Sequence, residues 1–568
     1  MFINLSFLGK EISLYRKIKE LKRMETKKLI HVLTLQNAIK YNGKAEVNST
    51  LGQILSANPE LRSKAKEIKE SVEKLVVDIN TLSLEEQKKI LKKLGEIKAP
   101  EKKEPKSIEL KNAVVGKVVL RFAPNPNGPL SLGHSRQAIW NYDLAQKYKG
   151  KFILRFDDTD PKIKVPLKDA YEWIKEDLAW LGIQPKEVII QSQRLQTYYE
   201  YAEQLIKNHH AYVCTCDSEK KREELLKKIA CVCRNAKDTI EEWKKMFTKY
   251  KEGEAILRIK TDLEYKNPAV RDFPAFRIID KSKHPLDKKS KVWPLLNFAS
   301  AIDDYETKVT HIIRGIDLQV SDERQKYIYE YFKWTYPHTY YNGKLIIKGI
   351  KSTSETKRLI EKGELSGWDD PRLGTLRALK KRGFQPVAIR NFIKKARLNK
   401  SEIQVSIENL EAENRTIVEP IANRYFFIKN PKKIKIKGVP ELTSKAPLHP
   451  DDPKRGYRVH KVSEEFYIED ELEKNKNYRL MHLLNLKNNI FISEEYDPNL
   501  KTKQIHWISL TVEPINVEII MPDNSRIKGI AEHYIENVKE EEVIQFERFG
   551  FCKLDKKGKM YIFYFTHK

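Results

Sequence analysis

Four clusters of polar side chains stand where short apolar runs end, and each has a definite chemistry open to it. The first runs from Arg121 to His134 (RFAPNPNGPLSLGH). Its prolines and glycines hold the chain open, and Gly133 admits an anion or a nucleotide ring close to the backbone. A histidine at a helix N-terminus can donate to a phosphate oxygen as negative charge builds there. The same residues would also serve as a proline-rich turn with a histidine packed on its helix. The second cluster is Asp157, Asp158 and Asp160, three carboxylates within four residues. They can hold an ammonium group, orient cationic side chains, or cap a turn before Pro161. Third is Arg314 in THIIRGID. Its guanidinium suits bidentate capture of a carboxylate, unless it is spent on Asp303, Asp304 or Asp317. The fourth, KGIKSTSETK, places Lys351, Ser352, Thr353, Ser354 and Lys357 on a loop before a helix. Such a loop can close over a triphosphate, although similar strings elsewhere are solvated turns.

These side chains need elements to position them. Val118–Phe122 reads as a strand, Leu132–Tyr148 as an amphipathic helix with Gly150 at its C′ position, and Lys151–Phe156 as the next strand. That βαβ unit implies a parallel sheet, whose carboxyl ends are where ligands bind. A second unit is readable as strand Val309–Arg314, an N-cap at Ser321, helix Asp322–Phe332 and strand Lys344–Lys348. Residues 212–290 interrupt the two halves and read as an insertion. Inside it, Cys214 and Cys216 are separated by fourteen residues from Cys231 and Cys233. Four thiolates can hold a zinc ion tetrahedrally, or they stand as unbound thiols. Cys552 reads as a strand residue of the later β region.

The chain has 568 residues and a formal charge of +28, with 40% hydrophobic and 33% charged residues. That length exceeds a single core, and the composition is that of folded soluble domains. No run of uncharged apolar residues is long enough to span a membrane. MFINLSFLGKE lacks a cationic region before its apolar stretch, which argues against a secretory signal, and five cysteines point to a reducing cytoplasm. The charge fits either a lysine-rich solvated surface or a polyanionic partner such as nucleic acid. The expected domains are a helical region at 1–97, with 1–23 a leader because Met24 offers a second start, and a linker at 98–111. They continue with an α/β region at 112–350, a loop and helices at 351–417, and short alternating β runs at 418–568, which predict antiparallel barrels.

The four clusters, in this order over about 240 residues, resemble the class I aminoacyl-tRNA synthetases of the glutamyl and glutaminyl group. Within it they are most similar to archaeal-type glutamyl-tRNA synthetases. RFAPNPNGPLSLGH matches the HIGH signature, with Ser131 where its first histidine stands. KSTS, Lys351–Ser354, matches the KMSKS loop, with Thr353 in place of the second lysine, so that Lys351 or Lys357 supplies the charge. GWDDPRL, Gly367–Leu373, is specific to this group, and VIQFERFGFCKLD resembles its barrel-type anticodon domain. The resemblance implies a Rossmann-like catalytic domain with an insertion, a stem-contact region and a β-barrel anticodon domain. It implies that His134, Gly133, Ser131 and the Lys351–Ser354 loop bind ATP with Mg2+ and do the chemistry. Arg121, Ala123, Asp157 and Arg314 would hold glutamate, with Arg314 on its side-chain carboxylate. Leu296 stands where many relatives have tyrosine. Trp368, Asp369, Asp370, Arg372 and Arg377 would contact tRNA(Glu), with charging of tRNA(Gln) left open. Members often carry structural zinc in the insertion. Protein docking by the N-terminal helices and a cytoplasmic location complete the expectations. A small-molecule adenylyltransferase and an inactive tRNA-binding paralogue are the competing readings.

Overall fold

A computed structural model of the chain describes residues 25–41, 43–95, 108–236, 239–347 and 353–568. They fall in two compact units, within residues 1–109 and 110–568. The expected leader, most of the linker, and Lys351 with Ser352 lie outside the described residues.

The first unit is helical, as its Lys/Glu-interrupted apolar spacing requires. Helices at 25–40, Val47–Ala57, Ala65–Asn80 and Leu84–Leu94 bury Val32, Leu35, Ile54, Val72 and Leu91 in one core. Ser83 starts the last of these with a reciprocal capping box to Glu86.

The second unit is built on a parallel sheet. Strands β1 (Val119–Phe122), β2 (Lys151–Phe156) and β3 (Glu187–Ile190) pair in that order, with Val119 beside Lys151 and Ile153 beside Glu187. They are joined through helices α1 (Leu132–Lys147) and α2 (Ala170–Trp180). After helix α3 (Leu195–Lys207), the insertion forms an antiparallel sheet of β4 (Ala211–Cys214), β5 (Ile256–Ile259), β6 (Pro274–Ile278) and β7 (Val292–Pro294). Helix α4 (Leu296–Glu306) then leads back to the parallel layer. There β8 (His311–Gly315) lies alongside β1, where the Thr310 N–H donates to the Val119 carbonyl at 3.1 Å. Helix α5 (Gln319–Tyr331) and β9 (His338–Asn342), parallel to β8, complete the second half.

Three local expectations are corrected. Gly150 is not the left-handed residue ending α1: Lys149 is, at φ 50°, with Lys149 N–H to Gln146 O and Gly150 N–H to Ala145 O. Gly150 is needed for a close approach, since a Cβ there would fall 2.1 Å from the Val118 carbonyl. Ser321 is not an N-cap, because a 3-10 turn at Ile316–Leu318 runs into α5 and winds the chain earlier. The strand closing the second βαβ half is His338–Asn342, hidden because it holds no aliphatic residue. Leu345–Ile347 instead pairs with Ile403–Val405.

Beyond residue 420 the chain is all β. A seven-stranded sheet begins with Arg424–Tyr425 at one edge and ends with Phe427–Lys429 at the other. Only Phe426 separates these edge strands, so the sheet must curl nearly closed. Two of its pairings, Arg424–Tyr425 with Val543–Phe546 and Ile515–Ile520 with Tyr561–His567, are parallel, so the barrel is only mostly antiparallel. Val517, Phe546 and Phe563 fill it, while Phe466, Leu486 and Trp507 fill a second β core.

Candidate active site

The carboxyl ends of β1, β2 and β8 open into a cleft of about 760 Å3, lined by Arg121, Asn125, His134, Arg155, Asp157 and Arg314, and reached by Thr353 and Ser354. That volume suits a nucleotide with a small second substrate.

On the sheet side, charges are paired in a buried chain. Arg121 grips Asp304 with Nε and Nη2, at 3.0 and 3.2 Å. Arg155, near the carboxyl end of β2, donates Nη1 to the same carboxylate at 2.6 Å and reaches Asp157 with Nε at 2.7 Å. Burial raises the Asp304 pKa, but the two guanidiniums outweigh it and hold the group at about 2. Asp157 responds differently: burial dominates and pushes its carboxyl upward against the pull of Arg155. Ser300 donates to Asp157 at 3.2 Å. Asp303 closes the chain, accepting from Gln191, Arg194 and Tyr198.

Among the three carboxylates read as one cluster, only Asp157 belongs to this chain. Asp158 is fully buried and accepts from Ser192 and Tyr171, with His284 3.3 Å away. Asp160 accepts the Lys162 and Ile163 N–H groups and pairs with Arg277 at 2.6 Å. Arg314 is buried too, and its partner is none of the three foreseen. Its Nη1 donates to Asp322 at 2.5 Å and to Gln325 at 3.1 Å.

Opposite these groups is the start of α1. Ser131 is its N-cap, its Oγ accepting the His134 N–H at 3.4 Å, while His134 Nδ1 accepts the Ser131 N–H at 3.3 Å. That second bond fixes the tautomer: Nδ1 is the bare nitrogen and Nε2 carries the proton. The ring is solvent-accessible but walled by the cleft, and this partial desolvation lowers its pKa. His134 is therefore a neutral donor at pH 7. At Gly133 an added Cβ would meet only Ser131 Oγ, at 3.6 Å, so no packing demands glycine there. Ala123 lines the cleft beside the arginines.

The GWDDPRL segment braces this turn. Trp368 and Thr353 approach Gly128 so closely that a Cβ there would lie 2.9 Å from each. Leu132 N–H donates to Gly374 O, Leu376 N–H to Leu130 O, and Leu130 N–H to the Asp177 carboxylate at 2.9 Å. The other residues read as tRNA contacts spend their polar groups internally. Asp370 holds Ser366 and Arg372, Asp369 pairs with Lys381, and Arg377 pairs with Glu176.

In the insertion, the Sγ atoms of Cys214 and Cys231 are 3.6 Å apart, Cys216 and Cys231 3.4 Å, and Cys216 and Cys233 3.8 Å. All four sulfurs lie within 4.8 Å of one another. Tetrahedral thiolates on zinc at about 2.3 Å would be spaced about 3.8 Å apart, so the set fits the ion.

Sequence reasoning missed Arg155, Asp303 and Asp304 as site residues. Their signal was charge within apolar surroundings: an arginine inside KFILRF and an acidic pair in a helix otherwise rich in small apolar residues.

Residues 117–420 match the model of the catalytic domain of class I tRNA synthetases (E and Q), and residues 422–505 and 495–555 match two anticodon-binding domain models of the same group. Among curated proteins, the glutamate–tRNA ligase of Pyrococcus furiosus is 49% identical over 94% of this chain and 98% of its own. That of Pyrococcus abyssi is 47% identical over 96% and 100%, and that of Methanocaldococcus jannaschii 46% over 92% and 97%. The chain belongs to the class I tRNA synthetases of the E and Q group.

Proposed function

We propose that the chain attaches L-glutamate to tRNA(Glu) through a glutamyl-adenylate. The glutamate α-carboxylate attacks the α-phosphorus of MgATP and expels pyrophosphate. The ribose 2′-hydroxyl at the tRNA end then attacks the activated carbonyl and AMP leaves. No protein nucleophile is required; positioning and charge stabilisation carry both steps. Asp157 receives the α-ammonium, Arg121 lies beside the α-carboxylate and Arg314 takes the side-chain carboxylate. His134 donates its Nε2–H to the phosphates at the α1 N-terminus, while Thr353 and Ser354, with Lys351 and Ser352 before them, close over the triphosphate. Magnesium enters with ATP as part of that substrate.

The observation carrying this reading is that Arg121, Asp157, Arg314 and His134, far apart in sequence, line one cleft. The alternative adenylyltransferase would have no use for the domains matched at 422–555. The GWDDPRL segment acts on the acceptor stem mainly by shaping its own loop, given how its side chains are spent. Cys214, Cys216, Cys231 and Cys233 hold structural zinc, which ties β4 to the segment before β5. The reaction is cytoplasmic, in keeping with the free thiols.

Pyrophosphate exchange into ATP, measured with glutamate and with or without tRNA(Glu), is the test. Glutamate-dependent exchange supports the reading, and none under either condition would remove it. Charging purified tRNA(Glu) and tRNA(Gln) in parallel defines the tRNA range.

A further inference from the structure

Arg314 enters the cleft already partnered, and the partner is unusual. Asp322 is 2% exposed and Arg314 5%, so neither charge is offset by water. The Asp322 carboxylate is saturated: Oδ1 accepts from Arg314 Nη1 and from Tyr336 at 3.0 Å, and Oδ2 accepts from Tyr341. Gln325 Oε1 also accepts from Nη1, at 3.1 Å, and shares the single Tyr336 hydroxyl proton with Asp322, each acceptor 3.0 Å from that oxygen. On the opposite side, the Gln137 amide brackets the backbone of Arg314. Oriented to satisfy both contacts, it donates to Ile313 O at 3.1 Å and accepts Gly315 N–H at 3.0 Å. All of these bonds fall on Nη1 or the backbone. Arg314 Nε is buried and has no hydrogen-bond partner among the described residues.

A buried guanidinium N–H left unmade is costly, and Arg314 lines the cleft, where an acceptor on a ligand can meet it. We propose that Asp322 is a specificity-determining positioning residue. It holds the Nη1 end of Arg314 from behind and so aims the Nε edge at the side-chain carboxylate of the substrate. This rests on the reading of Arg314 given above and adds what makes that arginine selective. An arginine free to turn would still favour a carboxylate by charge, but it could also meet a carboxamide oxygen through a single N–H. One clamped at Nη1 presents a fixed pair of donors, matched to two equivalent acceptor oxygens. Asp322 also keeps the empty pocket stable by compensating a buried cation until substrate arrives.

The experiment is pyrophosphate exchange with tRNA(Glu) present, titrating glutamate and glutamine against Asp322→Ala, Asp322→Asn and Arg314→Ala. Losing a hydrogen bond to a charged group costs about tenfold or more, so Asp322→Ala should raise KM for glutamate by about that factor. The loss should fall on KM rather than kcat, the preference for glutamate over glutamine should shrink in step, and tRNA binding should be kept. Asp322→Asn retains the Oδ1 acceptor and should restore most of the affinity. Unchanged KM and preference in Asp322→Ala, alongside a raised KM in Arg314→Ala, would overturn the inference alone. Unchanged glutamate use in Arg314→Ala would instead overturn the underlying reading of the site. Should Asp322→Ala not fold, Tyr341→Phe removes one bond to Asp322 while keeping the packing. A KM raised about threefold, as for a weak hydrogen bond, supports the proposal, and an unchanged KM counts against it.

Discussion

His134 is committed by its neighbours before any substrate arrives. Its Nδ1 accepts the Ser131 N–H, so the donor Nε2–H is fixed without a second histidine to enforce it. Ser131, a departure from the HIGH pattern, thereby acts as a helix cap. Removing a preorganised donor to developing charge costs about 10²–10³ in rate, so His134→Ala should lose that much kcat in pyrophosphate exchange with KM for glutamate little changed. A loss confined to KM would assign the ring to ground-state binding. Asp304 offers a different test. Its carboxyl is held at about 2 against an ordinary 3.8, a depressed value. It therefore contributes stability at neutral pH that is lost as pH falls from 3.8 towards 2. Asp304→Asn leaves Arg121 and Arg155 under-compensated in the interior and should cost about 3–5 kcal/mol by denaturant unfolding, with the acid-side loss flattened. Arg121, Asp157 and Arg314 stood out in the sequence because motif and strand end coincide at each, and His134 because its motif runs into the start of a helix. Asp322 did not, because its pairing with Arg314 across elements leaves no trace in local spacing, and Arg155 showed only as a charge inside an apolar run.

At the scale of elements, the turn leading into α1 is held from two sides, by Asp177 of α2 and by the backbone around Gly374. Trp368 of the GWDDPRL segment packs against Gly128 of that turn, so the segment braces the site from outside as well as marking its family. Strands and helices around the site were readable from apolar runs, whereas their ends were decided by tertiary contacts. Gly150 is explained by the Val118 carbonyl, and the start of α5 by the preceding 3-10 turn. β9 escaped notice because it reads His-Thr-Tyr-Tyr-Asn, with no aliphatic residue to form an apolar run. The cysteine knuckle is a separable element with its own test. One zinc per chain is expected by elemental analysis, and Cys231→Ser should abolish it and lower Tm. Full zinc content in that variant would place the ion elsewhere.

Over the whole molecule, the +28 charge meets a partner that explains it. A tRNA gripped at its acceptor end by the catalytic domain and at its anticodon by the β domains presents many phosphates. Affinity for tRNA(Glu) should accordingly fall linearly on a log–log plot against salt, with a slope set by the number of phosphates neutralised. A flat response would return the lysines to ordinary surface. The expected linker at 98–111 is marked in composition, as two prolines within a lysine and glutamate run. The barrel form of residues 418–568 was expected from their short, regularly spaced β runs, but the two parallel pairings of the seven-stranded sheet were not, since they join strands far apart in sequence. The most direct measurement is aminoacylation of tRNA(Glu) by the full-length protein, with radiolabelled glutamate and glutamine supplied separately and ATP present. Label from glutamate should become tRNA-bound and label from glutamine should not. Charging with glutamine, or no charging with either, would contradict the account.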